Sequence, residues 1–192
     1  MVQLCFGYAS EIKKGGVIMK ITVFSGSPKR EDSISLQYLK YIVKHNPEHV
    51  FSIFHIGSDI NLIKNGKDEF NLIIESVKNS DAVLWVFPVY HYLVPSQLKE
   101  FIELIFDTKS SDYFRGKYSS SIITSIHFYD TLAENYIHAV SEDLGMKYIP
   151  GFLAKMDDLK NSDGQIALLA YSKNLLASIN NSYIVTKFIT AI

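Results

Sequence analysis

The sequence predicts an α/β protein in three layers: a doubly wound, five-stranded parallel sheet with helices on both faces. Three observations carry this. Five short apolar, β-branched segments alternate with five stretches of helical periodicity, the pattern of repeated strand–helix crossovers. The run Asp81–Phe87 is almost continuously apolar, as a strand covered on both faces must be. The first strand breaks abruptly into Ser25-Gly26-Ser27-Pro28-Lys29-Arg30 before a helix begins, a small-residue turn typical of such crossovers.

The elements follow in order. Ile21, Val23 and Phe24 mark the first strand, and Leu36, Leu39 and Val43 share one face of a helix from Ser33 to His45, closed by Asn46-Pro47. Val50–Ile56 is the second strand, and Gly57 to Gly66 reads as a loop with a helical turn around Ile60–Ile63. Phe70, Ile73, Ile74 and Val77 fall at helical spacing, with Asp68 and Glu69 leading and Lys78 closing, as the helix dipole favours. The third strand ends at Pro88, and Pro95 opens a helix burying Leu98, Phe101, Ile102 and Ile105. Ser119–Ser125 is the fourth strand. A helix over Thr131–Leu144 stops at Gly145, Lys147–Ala154 is the fifth strand, and Gly164–Ile179 the last helix.

Composition narrows the class. At 192 residues one domain is expected, and 47% hydrophobic with 20% charged residues describes a globular chain. A formal net charge of −1 gives no footprint for nucleic acid or an anionic membrane, and apolar runs such as Ala82–Pro88 are too short to span a bilayer. Cys5 is the sole cysteine, which excludes an internal disulfide and a cysteine-ligated cluster, and the expected address is cytoplasmic. The histidines form no metal-ligand spacing, so no metal is expected. Residues 1–18 read as a leader, disordered or a mis-called start before Met19; 19–180 is the domain; 181–192 is a tail without a place.

Right-handed crossovers leave few topologies, and the flavodoxin-like order 2-1-3-4-5, counted from the strand at Lys20, is the natural one for five strands. Its crevice lies between strands 1 and 3, where SGSPKR meets Pro88-Val89-Tyr90-His91-Tyr92. The first loop offers hydroxyls, N–H groups and cations, suited to a phosphate; it matches neither a nucleotide P-loop nor a dinucleotide fingerprint. The second offers Pro88, Tyr90 and Tyr92, flat surfaces suited to an aromatic ring, or alternatively tyrosines that merely cap the sheet. A ligand with a phosphate at one end and a planar ring at the other fits both, and flavin mononucleotide is one.

The resemblance then becomes specific. Gly26-Ser27-Pro28-Lys29 followed by Ser33 and Ser35, the stretch Phe87–Glu103, and the later His127-Phe128-Tyr129-Asp130, Asp143–Tyr148 and Met156–Leu159 resemble the flavodoxin-like NAD(P)H-dependent FMN reductases from about Met19 to Ser178. The resemblance implies that Ser27, Lys29, Ser33, Ile34 and Ser35 hold the FMN phosphate. It implies further that Pro88, Val89, Tyr90 and His91 line the ring, and that Ser125, His127 and Tyr129 close its other edge. Many relatives carry Arg where Lys29 stands. The implied activity takes hydride from NAD(P)H and passes electrons to a small-molecule acceptor such as a quinone, with no catalytic side chain required. A homodimer is a further implication. A flavodoxin-type electron carrier, or a flavin-binding module of a larger redox system, shares the fold; the near-neutral charge argues against the acidic carrier.

Overall fold

In the computed structural model the described residues are 4–6 (backbone), 17–126, 130–155 and 157–184. Seven strands, β1 (Leu4–Phe6), β2 (Lys20–Ser25), β3 (Val50–Phe54), β4 (Ala82–Pro88), β5 (Tyr118–Ser125), β6 (Lys147–Tyr148) and β7 (Phe152–Lys155), form one sheet. Its order is β1-β3-β2-β4-β5, with β6 and β7 both paired to β5. From β2 onward every pair is parallel, which is the expected order 2-1-3-4-5.

Two features add to that plan. Within the leader, Leu4–Phe6 runs antiparallel to β3, opposing Ile53, Ser52 and Phe51, and covers its open edge. The expected fifth strand is split in two. Between the halves Pro150 has no N–H to give, and Gly151 turns its N–H to the Glu134 carboxylate on the helix α5 (Asp130–Asp143) at 2.7 Å, so the ladder lapses there while the backbone stays packed on Ser121.

The helices sort by the pleat of β2. Ile21 and Val23 join the core under α1 (Ile34–His45) and α6 (Ser162–Asn180). Phe24 joins the core under α2 (Ile56–Asn65), α3 (Lys67–Lys78), α4 (Ser96–Asp107) and α5, packing edge-on against Trp85 and Phe101 at 5.0 and 4.9 Å. The helix α2 is longer than the single turn expected within a loop, because Ile56, Ile60 and Ile63 form a stripe buried in this core.

Central strand β5 is buried along its whole length although it carries Ser119, Ser120 and Ser121 in a row. Each hydroxyl is paired. Ser119 accepts from Trp85 Nε1 at 3.0 Å and bonds Ser141, Ser120 bonds the Tyr171 hydroxyl at 2.7 Å, and Ser121 bonds that of Tyr148 at 2.9 Å. Burial pushes both phenols' pKa upward, so the network stays uncharged. Of the tail, Tyr183 is tied by its carbonyl to the Tyr118 hydroxyl at 2.9 Å, and 185–192 lie outside the described residues.

Candidate active site

The first loop is gripped from two sides. Gly26 donates its N–H to the Val86 carbonyl at 2.8 Å, and a Cβ on Gly26 would come within 2.9 Å of Phe87 and Leu98. From the other side the first turn of α2 leans on the loop: a Cβ on Gly57 would lie 2.3 Å from the Gly26 carbonyl oxygen. Two glycines therefore let a strand end, a helix start and a loop meet at backbone contact.

This packing sets out donors. Ser27 Oγ is buried and accepts the Lys29 N–H at 3.3 Å, which leaves its own hydrogen for a ligand. Ser33 is the N-cap of α1 but makes no capping bond; its hydroxyl pairs instead with that of Ser35 at 2.9 Å. The first N–H groups of α1 thus have no side-chain cap, and no acidic residue stands in its first turn. That end of α1 carries the partial positive charge and unpaired donors of an anion site.

Arg30, adjacent to Lys29 in sequence, is committed elsewhere. It adopts φ +44° and forms an ion pair with Asp59 on α2, while Ser58 bonds the same carboxylate oxygen at 2.8 Å. Glu31 pairs with Lys40 and lies 3.5 Å from His55 Nε2. His55 is only 5% exposed, and burial holds its pKa below the ordinary value, so it stands neutral behind the loop.

The second loop faces the first across the switch point. β4 ends in Pro88, Val89 donates to the Thr124 carbonyl at 2.9 Å, and Tyr90 and Leu93 exchange backbone bonds of 2.9 and 3.0 Å around a tight turn. Both central residues of that turn are left-handed, His91 at φ +44° and Tyr92 at +71°. After β5, Ser125 donates to the Asp130 carboxylate at 3.3 Å and steadies the start of α5.

A cleft of about 250 Å³ lies between these loops, at the carboxyl ends of the strands. It brings together Ser27, Lys29, Ser33 and Ile34 at one end with Pro88, Val89, Tyr90 and Ser125 at the other. Ser35 sits behind Ser33 as its hydrogen-bond partner, and His91 stands exposed on the turn beside Tyr90. His127 and Tyr129 lie outside the described residues. Asp32, Thr124 and Ile126 also line the cleft and were not expected there. Thr124 and Ile126 flank Ser125, and the register Pro88–Thr124 between β4 and β5 carries them in; Asp32 belongs to the short 3-10 turn Arg30–Asp32, which local spacing does not reveal. A larger depression, about 320 Å³, lies at the opposite end of the sheet beneath α3, where neither loop reaches.

The donor set fits FMN: hydroxyls, one lysine and an open helix N-terminus for a phosphate dianion, then proline, valine and tyrosine for the ring.

Comparison with known proteins agrees. The chain is similar in structure to FerB, the NAD(P)H:(acceptor) oxidoreductase of Paracoccus denitrificans, with TM-score 0.69, 19% identity, and 85% of this chain and 98% of that chain covered. It is similar to an NADH:FMN oxidoreductase in its apo form, with TM-score 0.66, 17% identity and coverage of 83% and 89%. It is also similar to the FMN-dependent NADH-azoreductase of Bacillus anthracis in complex with FMN, with TM-score 0.59, 14% identity and coverage of 87% and 100%. At these identities the likeness is one of fold. No curated protein matches the sequence. The profile of the NADPH-dependent FMN reductases matches residues 19–158. With the predicted strand order and a donor set for FMN in place, the chain belongs to the NADPH-dependent FMN reductase family, oxidoreductases that use FMN and NAD(P)H.

Proposed function

We propose that this protein is a cytoplasmic oxidoreductase that draws hydride from NAD(P)H and delivers electrons to a small-molecule acceptor such as a quinone, working as a homodimer. The observation that carries the reading is the meeting of a phosphate-type donor cluster and an aromatic wall in one cleft at the topological switch point. Similar folds include an NAD(P)H:quinone oxidoreductase from Methanothermobacter marburgensis, which supports a quinone as acceptor. Among the described residues no helix is long and apolar enough to cross a membrane.

In this reading bound FMN supplies the two-electron chemistry that no side chain of the cleft possesses. The chain's own residues place it. Ser27 and Ser33 donate hydroxyl hydrogens to the phosphate, Lys29 balances its charge, Ile34 offers its helix N–H, and Ser35 fixes the Ser33 rotamer. Pro88, Val89, Tyr90 and His91 flank the ring, and Ser125 stands at its far edge. Mixing FMN-loaded protein anaerobically with NADH or NADPH in a stopped-flow instrument tests the activity. Loss of oxidised-flavin absorbance within seconds is expected. No loss over many minutes, with ready reduction by a separate reductase protein, would make it an electron carrier instead.

A further inference from the structure

The turn that brings Lys29 and Ser33 to the cleft is held from two directions. Its own backbone closes it: Asp32 donates its N–H to the Lys29 carbonyl and Ser33 to that of Arg30, both at 3.0 Å. On the α1 side Gln37 donates to the Glu31 carbonyl at 2.7 Å, and Lys40 pairs with the Glu31 carboxylate, the two side chains being 37% and 52% exposed. An ion pair that wet adds little. On the α2 side the hold is drier. The Asp59 side chain is 9% exposed, and one of its oxygens accepts from both Arg30 Nη2 and, at 2.8 Å, Ser58 Oγ. Asp59 lies in the first turn of α2, close after Gly57, which already rests on the loop. Its negative charge suits that end of the helix dipole. Arg30 stands at φ +44°, a left-handed conformation that a side chain resists and that persists only where the surroundings impose it. Arg30 does not line the cleft, whereas Lys29, Asp32 and Ser33 around it do.

We propose that Asp59 is a positioning residue for the cofactor phosphate: it acts through Arg30, whose guanidinium straps the turn to α2 and so sets Lys29 and Ser33 at the phosphate end of the cleft. The proposal rests on the FMN oxidoreductase reading above. The sign of the effect separates a strap from a simple charge. Asp59 is an anion placed behind a site for an anion. By Coulomb forces alone, removing it strengthens the hold on FMN, and removing the Arg30 charge weakens it. A strap fails whichever end is cut, so both removals weaken FMN.

The test measures Kd for FMN and for riboflavin, by flavin fluorescence quenching, in Arg30→Gln, Arg30→Lys, Asp59→Asn and the double variant Arg30→Gln/Asp59→Asn. Arg30→Gln and Asp59→Asn each raise the FMN Kd about tenfold, because the phosphate donors are no longer set in advance. Riboflavin, which has no phosphate, binds every variant as it binds the parent, a result that general damage to the fold does not give. Arg30→Lys keeps a charge that reaches Asp59 and stays within about threefold of the parent. The double variant leaves neither charge unpaired, and it binds FMN no more weakly than either single variant, because one strap is lost once. Where Asp59→Asn alone does not fold, the double variant decides. Tighter or parental FMN binding in Asp59→Asn, parental FMN binding in the double variant, an Arg30→Lys as weak as Arg30→Gln, or a matching loss for riboflavin overturns the assignment. A parent that takes up no FMN, or holds FMN and riboflavin alike, refutes the underlying reading, and the proposal falls with it; a parent that prefers FMN, together with any of those four results, refutes the proposal alone.

Discussion

Ser27 and Ser33 both offer hydroxyls to the phosphate, yet replacing each by alanine has a different cost to the fold. Ser27 gives up only a 3.3 Å bond from the Lys29 N–H, worth at most about 0.5–1.5 kcal/mol. Ser33 is paired at 2.9 Å with Ser35, and both are buried. Ser33→Ala strands the Ser35 hydroxyl without a partner, a penalty of about 1–3 kcal/mol. In a domain of this size each kcal/mol lowers the melting temperature by about 2–4 °C. Against a bound phosphate dianion, each hydroxyl contributes about 1.5–3 kcal/mol, which is about ten- to hundredfold in Kd. Ser27→Ala is expected to lose FMN affinity by that factor while the flavin-free protein melts within about 6 °C of the parent. Ser33→Ala loses both affinity and stability. Titration by flavin fluorescence quenching, with riboflavin as the phosphate-free control, reads the first quantity, and a thermal melt of the flavin-free protein reads the second. Parental FMN affinity in both variants, or equal parental affinity for FMN and riboflavin, would refute the phosphate role of this loop.

Two further expectations concern the scaffold. Burial pushes the pKa of His55, and that of His49, down, so the unfolded chain takes up protons that the fold resists. Stability is therefore complete above about pH 6.5 and declines below it, by up to about 1.4 kcal/mol per pH unit for each histidine. Melting curves from pH 7 to 5 should show this, with a shallower decline in His55→Gln; a flat profile in the parent sinks the argument. A chain beginning at Met19 loses β1 from the outer edge of β3, whereas the cleft lies between the ends of β2 and β4. It should bind FMN with parental affinity and melt within about 4 °C of the full chain; a large fall in either shows that the leader supports the domain.

The strand order was legible because β2 and β4 carry their burial in their own composition, and because crossover handedness leaves one sensible arrangement. The first cleft loop was legible because the turn chemistry of Ser25-Gly26-Ser27-Pro28 is local. What escaped was decided at a distance. The segment Ile56–Asn65 carries Gly57, Ser58, Asp59 and Asn61, all frequent in loops, and becomes a helix because three isoleucines find the core and Gly57 lets its first turn rest on the Gly26 carbonyl. Arg30 looks like a phosphate ligand beside Lys29 until Asp59, 29 residues away, claims it. The break in the fifth strand falls at Pro150-Gly151, where the Gly151 N–H goes to Glu134, 17 residues earlier in the chain. The left-handed pair His91-Tyr92 carries neither glycine nor asparagine, so no local signal announced the turn.

Trp85 is the sole tryptophan of the chain, fully buried and hydrogen-bonded to Ser119 in the middle of β4. The strand runs three residues further to Pro88 at the cleft, a rise of about 10 Å. The fold therefore contains an optical donor of fixed position beside the place where a near-ultraviolet acceptor would sit. Its emission comes from a single dry environment, and resonance energy transfer to an occupant of the cleft dims it. Occupancy, exchange and release can then be followed in real time on the unmodified protein, with no label attached.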